Sequence, residues 1–224
     1  FIQFGSGSIL GSGSTLTVSP SVNTTYYVNK KGSGISTDFI SQLVTVNAVP
    51  TPTFTAQPGA AACANTDVSY FTESGKSNYV WTIPGTSGVD YSIISGGTAA
   101  DNFLTLQWLT TGSKTVTINY TAGCAAASAT SSTPTTVTVA SVGGTATAAA
   151  STVCVGSNTT ISLTGYTGTI QWQSSADGSS DWTDVTTGTG GTSSTYTTPN
   201  LSDNIYFQAV VSNGVCASVN STST

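Results

Sequence analysis

Four cysteines and the tryptophans between them are the residues whose types and spacing could do defined chemistry in this sequence. They form two successive Cys–Trp–Cys sets, Cys63 with Trp81 and Cys124, and Cys154 with Trp172 and Cys216. The tryptophan follows the first cysteine by the same number of residues in both sets, and the second interval differs by one residue. Because the chain has no histidine and no CxxC pair, a zinc site would lack its usual ligands. Four cysteines shared evenly between two sets therefore predict structural disulfides and an oxidising compartment.

Groups that catalyse reactions at neutral pH are scarce. The sequence contains neither His nor Arg, so a serine nucleophile would lack its usual base and a developing oxyanion its guanidinium partner. The carboxylates are scattered, whereas a glycosidase needs two that face each other across a cleft. The densest acidic stretch, residues 177–184, has neither EF-hand order nor a bidentate Glu for Ca²⁺, and we interpret it as a hairpin turn. We predict no enzyme activity, no cofactor and no metal site.

The four tryptophans fall into two groups. Trp81 and Trp172 each lie in a segment whose side chains alternate between the two faces of a strand, and we predict both as core anchors. Trp108 and Trp182 are the candidates for contact with a ligand, because exposed aromatic rings form stacking platforms in binding sites. Half-buried packing on a strand is the alternative for these two residues.

The charge composition excludes two classes of partner. The net charge is −5, only 6% of the residues are charged, and all four cations are lysines. Nucleic-acid binding needs a basic surface that releases counterions from phosphates, and a polybasic membrane contact needs a similar surface. A run of about 18 apolar residues, which membrane insertion requires, is also missing. We therefore predict no nucleic-acid partner and no membrane insertion of this segment, and we expect any export signal to lie outside it.

The secondary-structure signals indicate an all-β chain. Thr and Val favour strands, the Gly, Ser, Asn and Pro residues between them favour turns, and helical amphipathicity is missing. Strands are predicted at residues 16–20, 25–28 and 43–46 in the first part of the chain. Further strands are predicted at 68–71, 79–83, 91–94, 103–108, 115–120 and 135–140, and then at 159–163, 169–173, 182–185, 195–197 and 205–211. Short strands with regular turns, combined with the Cys–Trp–Cys order, are typical of immunoglobulin-like β-sandwiches. Because the pattern repeats, we predict tandem sandwiches in a linear array.

The partners of the four cysteines stay open at this point. We prefer pairing within each set, Cys63 with Cys124 and Cys154 with Cys216. Cys63, however, precedes the predicted second strand of its repeat and Cys124 follows the predicted sixth, which places them at opposite ends of a simple sandwich. A disulfide requires Cα atoms roughly 4.4–6.8 Å apart. Either Cys63 lies on a first strand that runs beside the last strand, or the pairing crosses repeats from Cys63 to Cys216.

Several motifs resemble the repeats of large surface proteins of Bacteroidota. Residues 154–156, 169–178 and 214–216 resemble their Ig-like repeats. Residues 79–85 and 106–112 are similar to their PKD-like repeats, although the aspartate-rich turn that ordinary PKD domains carry after the tryptophan is missing. A mixture of this kind resembles the gliding-motility adhesins exported by the type 9 secretion system, and the resemblance extends over nearly the whole chain.

The strand pattern and this resemblance together predict three repeats. The first repeat, residues 1–49, is the C-terminal half of an Ig-like domain. The second, residues 50–142, is a PKD-like β-sandwich, and the third, residues 143–224, is an Ig-like β-sandwich truncated before its last strand. Because three strands alone leave one face of a sheet uncovered, we expect the chain to be a segment of a longer array.

The resemblance implies a repeat segment of a long, secreted cell-surface adhesin filament of the gliding-motility kind, which acts mechanically in adhesion and spacing. It implies an extracellular location on the cell surface, associated with the outer membrane. The implied partners are an extracellular surface or polysaccharide, and the gliding and secretion machinery through parts of the parent chain that are not present here. The alternative is a glycan-binding or spacer Ig-like module of a secreted polysaccharide-degrading protein, in which Trp108 or Trp182 contacts the glycan.

Overall fold

The structure, a computed structural model, describes residues 2–4, 8–11, 15–29 and 39–224. Every regular element among these residues is a β-strand, which confirms the all-β prediction. The chain divides into two compact units. They are an N-terminal unit, Phe1–Pro50 with Thr121–Ala127, and a main unit, Thr51–Tyr120 with Ser128–Thr224.

The N-terminal unit contains a four-stranded antiparallel sheet in the order β2-β1-β3-β4. Its strands are β1 (Ile2–Phe4), β2 (Ser8–Gly11), β3 (Thr24–Asn29) and β4 (Phe39–Val44). The prediction of a strand at residues 16–20 is wrong, since no strand occupies them, and Pro20 has no N–H to donate to a sheet. The predicted first repeat also includes residues 1, 5–7, 12–14 and 30–38, which lie outside the described residues.

The second repeat supplies strands β5 to β15. They are β5 (Phe54–Ala56), β6 (Ala61–Cys63), β7 (Asp67–Thr72), β8 (Ser77–Thr82), β9 (Tyr91–Gly96), β10 (Phe103–Trp108), β11 (Gly112–Lys114), β12 (Thr117–Ala122), β13 (Cys124–Ala125), β14 (Thr130–Ser131) and β15 (Thr135–Thr138). One sheet has the order β5-β7-β10-β9, and in another β12 pairs with β8, β13 and β14. A third, β11-β15-β6, contains a parallel pair, because β6 runs alongside β15 in the same direction.

The third repeat supplies strands β16 to β22 in two sheets. They are β16 (Thr145–Ala148), β17 (Thr160–Thr164), β18 (Thr169–Ser175), β19 (Thr183–Asp184), β20 (Thr195–Thr197), β21 (Tyr206–Ser212) and β22 (Val219–Asn220). The sheet orders are β16-β17-β20 and β19-β18-β21-β22. The longest pairing joins β18 to β21 through seven residue pairs, from Thr169 opposite Ser212 to Ser175 opposite Tyr206.

Each of these two repeats has a hydrophobic core of its own. Strand β10 alternates between its two faces and buries Leu104, Leu106 and Trp108 completely in the core of the second repeat. In the third repeat, Trp172 is fully buried, and its ring stacks on Tyr196 with 6.1 Å between the ring centroids. Alternating burial of large side chains from facing sheets is the packing expected of a β-sandwich.

A serine hydroxyl makes the same backbone hydrogen bond at the edge of each core. Ser132 follows β14; its Oγ accepts a hydrogen bond from the backbone N–H of Val116 (3.0 Å), and its own N–H donates to the Val116 carbonyl (2.8 Å). Ser221 follows β22 and makes the same two bonds with Ala209, both at 2.8 Å. The matching bonds align the two repeats: Ser221 corresponds to Ser132 and β22 to β14.

A carboxylate ties the start of the second repeat to β7. Glu73 accepts hydrogen bonds from the backbone N–H of Thr53 at 3.3 Å and from the hydroxyls of Thr53 and Thr72, the latter at 2.6 Å. Partial burial acts to raise the pKa of Glu73, but the hydrogen bonds from Thr53 and Thr72 prevail and lower it to about 2. The charged form of the side chain therefore stabilises this edge of the sandwich.

The substitution Glu73→Gln is expected to lower the free energy of unfolding at pH 7 by about 1 kcal/mol or less, because solvent screens a partly exposed carboxylate. The ordinary pKa of 4.5 applies to the unfolded chain. The contribution is therefore complete only above that pH and is lost as the pH falls towards 2. Urea unfolding at pH 7 and pH 3 measures it, and the difference between variant and wild type should shrink at pH 3. Asp203→Asn, at an exposed carboxylate, is the control; a difference that persists unchanged at pH 3 would contradict this role of Glu73.

Candidate functional site at a disulfide-bridged joint

Cys63 of the second repeat and Cys216 of the third form a disulfide. Their Cα atoms are 5.1 Å apart, and 153 residues separate them in sequence. Cys124 and Cys154 are free. The preferred prediction, pairing within each set, is therefore wrong, and the alternative that crosses repeats is the pairing that the structure contains. A single covalent bond thus encloses most of both sandwiches in one loop of chain.

The parallel pairing of β6 with β15 explains why Cys63 reaches the third repeat. Cys63 lies opposite Thr138, the last residue of β15, and the next N–H, from Ala64, donates to the Thr138 carbonyl at 2.8 Å. The chain enters the third repeat directly after β15. Because parallel strands end at the same edge, β6 carries Cys63 to the end of the sandwich where the third repeat begins. Cys63 therefore does lie on an early strand that runs beside the last strand of its repeat, as one alternative from the sequence required. The disulfide that it forms, however, joins two repeats.

The loop between β21 and β22 positions Cys216 and forms hydrogen bonds to residues 139–141, which connect the two sandwiches. The N–H of Cys216 donates to the Asn213 carbonyl at 3.0 Å in a tight turn. The Asn213 side chain donates to the Val139 carbonyl (2.9 Å), and the Asn213 backbone N–H donates to the Ser141 hydroxyl (2.9 Å). The Cys216 sulfur itself lies 3.2 Å from the Val139 carbonyl oxygen. Hydrogen bonds and a covalent bond together restrain this joint between the two sandwiches.

The two tryptophans that were predicted as core anchors, Trp81 and Trp172, are buried to different extents. Trp172 is completely buried, and its indole N–H donates to the Ser193 carbonyl at 2.8 Å. Trp81 is half-buried against the core of the second repeat, and its indole N–H donates to the Asp101 carbonyl at 3.0 Å. The two residues therefore make equivalent hydrogen bonds, but only Trp172 has no exposed surface.

Trp108 is not available to a ligand. Its side chain has no exposed surface, and its ring packs edge-on against Tyr91 with 6.1 Å between the centroids. The prediction that Trp108 contacts a ligand is therefore wrong, because the inward face of β10 directs its side chain into the core. Trp182, beside the short strand β19, is half-buried, so it is the only one of the two candidates that keeps exposed surface.

The acidic stretch forms a turn held by its own side chains. The Asp177 carboxylate accepts bonds from the backbone N–H groups of Ser180 and Ser179, both at 2.8 Å, and from the hydroxyls of Ser180 and Ser175. These bonds, led by the one from the Ser180 N–H, hold the pKa of Asp177 well below its usual range. Its oxygens are used in capping the turn, which agrees with the interpretation of this stretch as a hairpin turn.

The described ranges lack two further features. None of their His, Cys, Asp and Glu side chains come together in groups of three or more that would hold a metal ion. In the same ranges, no helix has the length and apolar character needed to cross a membrane.

The two free cysteines differ in accessibility. Cys154 is exposed, whereas Cys124 is half-buried with its sulfur 3.3 Å from the Ala48 carbonyl oxygen. We expect a thiol reagent such as Ellman's reagent to titrate two thiols per chain, with Cys154 reacting first because its sulfur is open to solvent. The variant Cys154→Ser should retain only the slow reaction. A chain that titrates no thiol, or four, would contradict this assignment of the disulfide.

A family model matches part of the chain. Residues 142–224 match a family described as "Domain of unknown function (DUF8696)". No curated protein matches the sequence.

Several solved structures resemble the chain in fold. The eight N-terminal Ig domains of Down syndrome cell adhesion molecule match with a TM-score of 0.50 and 13% identity, over 90% of this chain and 30% of that one. A chain in the crystal structure of the mouse coronavirus receptor-binding domain complexed with its murine receptor matches with a TM-score of 0.48 and 16% identity, over 77% of this chain and 97% of that chain. The sheets of the structure and the likeness to the Ig domains of Down syndrome cell adhesion molecule together show tandem Ig-like β-sandwiches.

Proposed function

We propose that this chain is a mechanical segment of a secreted cell-surface adhesin built from tandem Ig-like repeats, with the repeats bounded as residues 1–49, 50–142 and 143–224. The observation that carries the proposal is the disulfide between Cys63 and Cys216, which joins two neighbouring sandwiches. Disulfides persist in oxidising, extracytoplasmic compartments. A covalent bond across a joint changes how the chain transmits tension.

The disulfide offers tension a path that bypasses the sandwiches. When the two ends of the chain are pulled apart, force reaches Cys63 and passes through the sulfur atoms to Cys216. The 153-residue stretch between them cannot lengthen while the bond is intact. The cores around Trp108 and Trp172 lie inside that stretch and are shielded from extension. Such a chain keeps its folded surfaces under shear, which an adhesin outside a cell requires.

Single-molecule pulling from the two termini tests the mechanical role. We expect the oxidised chain to extend without unfolding events from either shielded core. After reduction, the stretch between the cysteines should add roughly 500 Å of contour length, at about 3.3–3.6 Å per residue. The variant Cys124→Ser keeps the disulfide and serves as the control, so it should extend like the oxidised wild type. Equal contour lengths before and after reduction would contradict the proposal.

The finer part of the proposal is a gliding-motility adhesin exported by the type 9 secretion system. It is supported by the resemblance of the motifs around Cys154, Trp172 and Cys216 to repeats of Bacteroidota surface proteins. In such a cell the protein contacts an external surface or polysaccharide and is connected to the gliding machinery through the parent chain. An antibody raised against residues 50–224 should label intact living cells, and the signal should move along the cell. A static surface signal would contradict gliding but leave a spacer role, and a signal only after lysis would contradict the surface location.

The alternative, a glycan-binding module of a polysaccharide-degrading protein, rests on Trp182, because Trp108 is buried. The half-exposed ring of Trp182 is the observation that favours it. In affinity electrophoresis through polysaccharide gels, Trp182→Ala should then lose retardation, while Tyr166→Ala, a change at another exposed aromatic, should keep it. Equal migration of wild type and Trp182→Ala would support the mechanical segment instead.

A further inference from the structure

Cys124 occupies the same kind of place as the bonded Cys216. The Cys216 sulfur lies 3.9 Å from the Thr138 carbonyl oxygen and 3.2 Å from that of Val139, at the end of the preceding repeat. The Cys124 sulfur lies 3.8 Å from the Asn47 carbonyl oxygen and 3.3 Å from that of Ala48. Both cysteines also follow the strand that pairs with the tryptophan-bearing strand of their repeat, β12 for Cys124 and β21 for Cys216. The second cysteine of each repeat therefore faces the backbone that leaves the repeat before it.

Cys154 in turn occupies the same local structure as the bonded Cys63. The Cys63 carbonyl accepts a hydrogen bond from the N–H of Thr66 at 3.4 Å, and the Cys154 carbonyl accepts one from Ser157 at 2.9 Å. Both turns have a left-handed residue at the third position, Asn65 with φ 61° and Gly156 with φ 82°. The first cysteine of each repeat thus begins the same tight turn.

The surroundings of these two turns differ in one respect. After Cys63, Ala64 is only 7% exposed because β15 lies beside it. After Cys154, Val155 is 83% exposed, and it borders an open groove of about 350 Å³. Residues 151–153 and Thr224 also line this groove. The serine alignment makes Thr224 the counterpart of Thr135, where β15 begins. In the second repeat, β15 lies beside the first cysteine. The groove in the third repeat is at the corresponding position, so a strand equivalent to β15 would fit there.

We propose a pairing rule for these repeats: the first cysteine of each repeat forms a disulfide with the second cysteine of the repeat that follows it. Cys63–Cys216 is one instance. Cys154 is then a modification site that takes the second cysteine of a following Ig-like repeat, and Cys124 takes the first cysteine of a preceding one. Both free cysteines have bonded equivalents in the same chain, Cys63 for Cys154 and Cys216 for Cys124.

The bond forms by ordinary thiol–disulfide exchange. Two thiols lose two protons and two electrons, one sulfur–sulfur bond forms, and a glutathione or protein disulfide in the same compartment accepts the electrons and becomes two thiols. Each bond of this kind crosses one boundary between repeats. In an array, the loop that one bond closes therefore overlaps with the loop closed by the next. Every joint is then restrained in the same way as the joint at Cys63. The rule concerns the covalent structure alone and does not depend on an adhesive role.

The rule can be tested in a chain that supplies Cys154 with a following repeat. Residues 136–224 are repeated directly after Thr224, which completes the strand equivalent to β15 and adds one more Ig-like repeat. In the added copy, Cys154→Ser removes the extra first cysteine, and Val215→Ile marks the peptide that carries the second cysteine by its mass. Val215 is 60% exposed, so the added methylene is tolerated. The protein is folded in glutathione redox buffer, its free thiols are alkylated, and its disulfides are mapped by mass spectrometry.

Digestion without reduction should give two linked peptide pairs, Cys63 with Cys216 and Cys154 with the marked cysteine, and an alkylated Cys124. Because the third repeat contains no Lys or Arg, a protease that cuts at Asp replaces trypsin. Cys124 and Cys154 then lie on one peptide, since no Asp separates them, and fragmentation of that peptide in the mass spectrometer shows which of the two is linked and which is alkylated. An alkylated Cys154 beside an intact Cys63–Cys216 bond would overturn the rule. So would a marked cysteine linked to Cys124, or dimers joined through two copies of Cys154. The same extended chain with the marked cysteine changed to Ser is the control, and it should leave Cys154 alkylated.

Discussion

Replacing Cys63 by Ser is expected to lower the free energy of unfolding of the main unit by about 2–4 kcal/mol, a typical value for a disulfide that closes a long loop. The bond encloses 153 residues and both sandwich cores, so its removal frees a large part of the unfolded chain from a constraint. Urea unfolding under non-reducing conditions, followed by tryptophan fluorescence, measures the effect. Wild type treated with a reductant should unfold like the variant.

The same bond couples two cores that otherwise have separate hydrophobic clusters. Without it, the second and third repeats are expected to unfold in two transitions, because no covalent loop then holds them together. Cys216→Ser should reproduce Cys63→Ser, and the double variant should cost no more than either single one, since all three remove the same bond. Cys124→Ser is the control and should change the unfolding of the main unit little. Additive effects of Cys63→Ser and Cys216→Ser would contradict a shared bond.

Trp172→Ala is expected to destabilise the third repeat by about 3–5 kcal/mol, the usual range for removing a buried tryptophan. The ring has no exposed surface, and it stacks on Tyr196, which in turn packs against Phe207 with 5.6 Å between the centroids. The truncation leaves a cavity in the centre of this core and also leaves the Ser193 carbonyl without its indole partner. Unfolding by urea and near-UV circular dichroism measure the loss.

Three variants separate burial from the hydrogen bond. Trp172→Phe retains most of the packing but not the indole N–H, so its cost should fall between those of wild type and Trp172→Ala. Trp81→Ala removes the equivalent hydrogen bond in the second repeat, but its cost should be smaller because Trp81 is half-buried. Trp182→Ala, at a partly exposed ring, should cost least. A loss at Trp81 as large as that at Trp172 would show that the hydrogen bond dominates over burial.

Local patterns in the sequence were sufficient for the architecture. Strands of six or seven residues with alternating faces, such as β10 and β18, leave a clear period-two pattern, and both were predicted within two residues of their observed ends. The burial of Trp172 agrees with its alternating segment. Short strands were predicted only in part: β15, β19 and β20 were predicted, whereas β6 and β22 were not, because two or three residues seldom establish an alternation.

The assignment of Trp108 shows where local patterns stop being sufficient. Its strand was predicted with its observed bounds, but which face of β10 meets the core depends on the sheet that packs against it. The core of the second repeat also includes Val116, which directly precedes β12, and Val137 of β15, so residues later in the chain complete the core around Trp108. A ligand-contacting Trp and a core Trp therefore carry the same local signal.

The sequence by itself determined that this is an all-β chain of repeated sandwiches with cysteines at equivalent positions, because each of those properties depends on residues close together in the chain. Only the tertiary structure decided which cysteines bond. That choice depends on the parallel pairing of β6 with β15, which brings Cys63 to the edge where the third repeat begins, and on the β21–β22 loop, which brings Cys216 to the same edge. A contact across 153 residues is determined by the packing of whole sheets, and no local spacing encodes it.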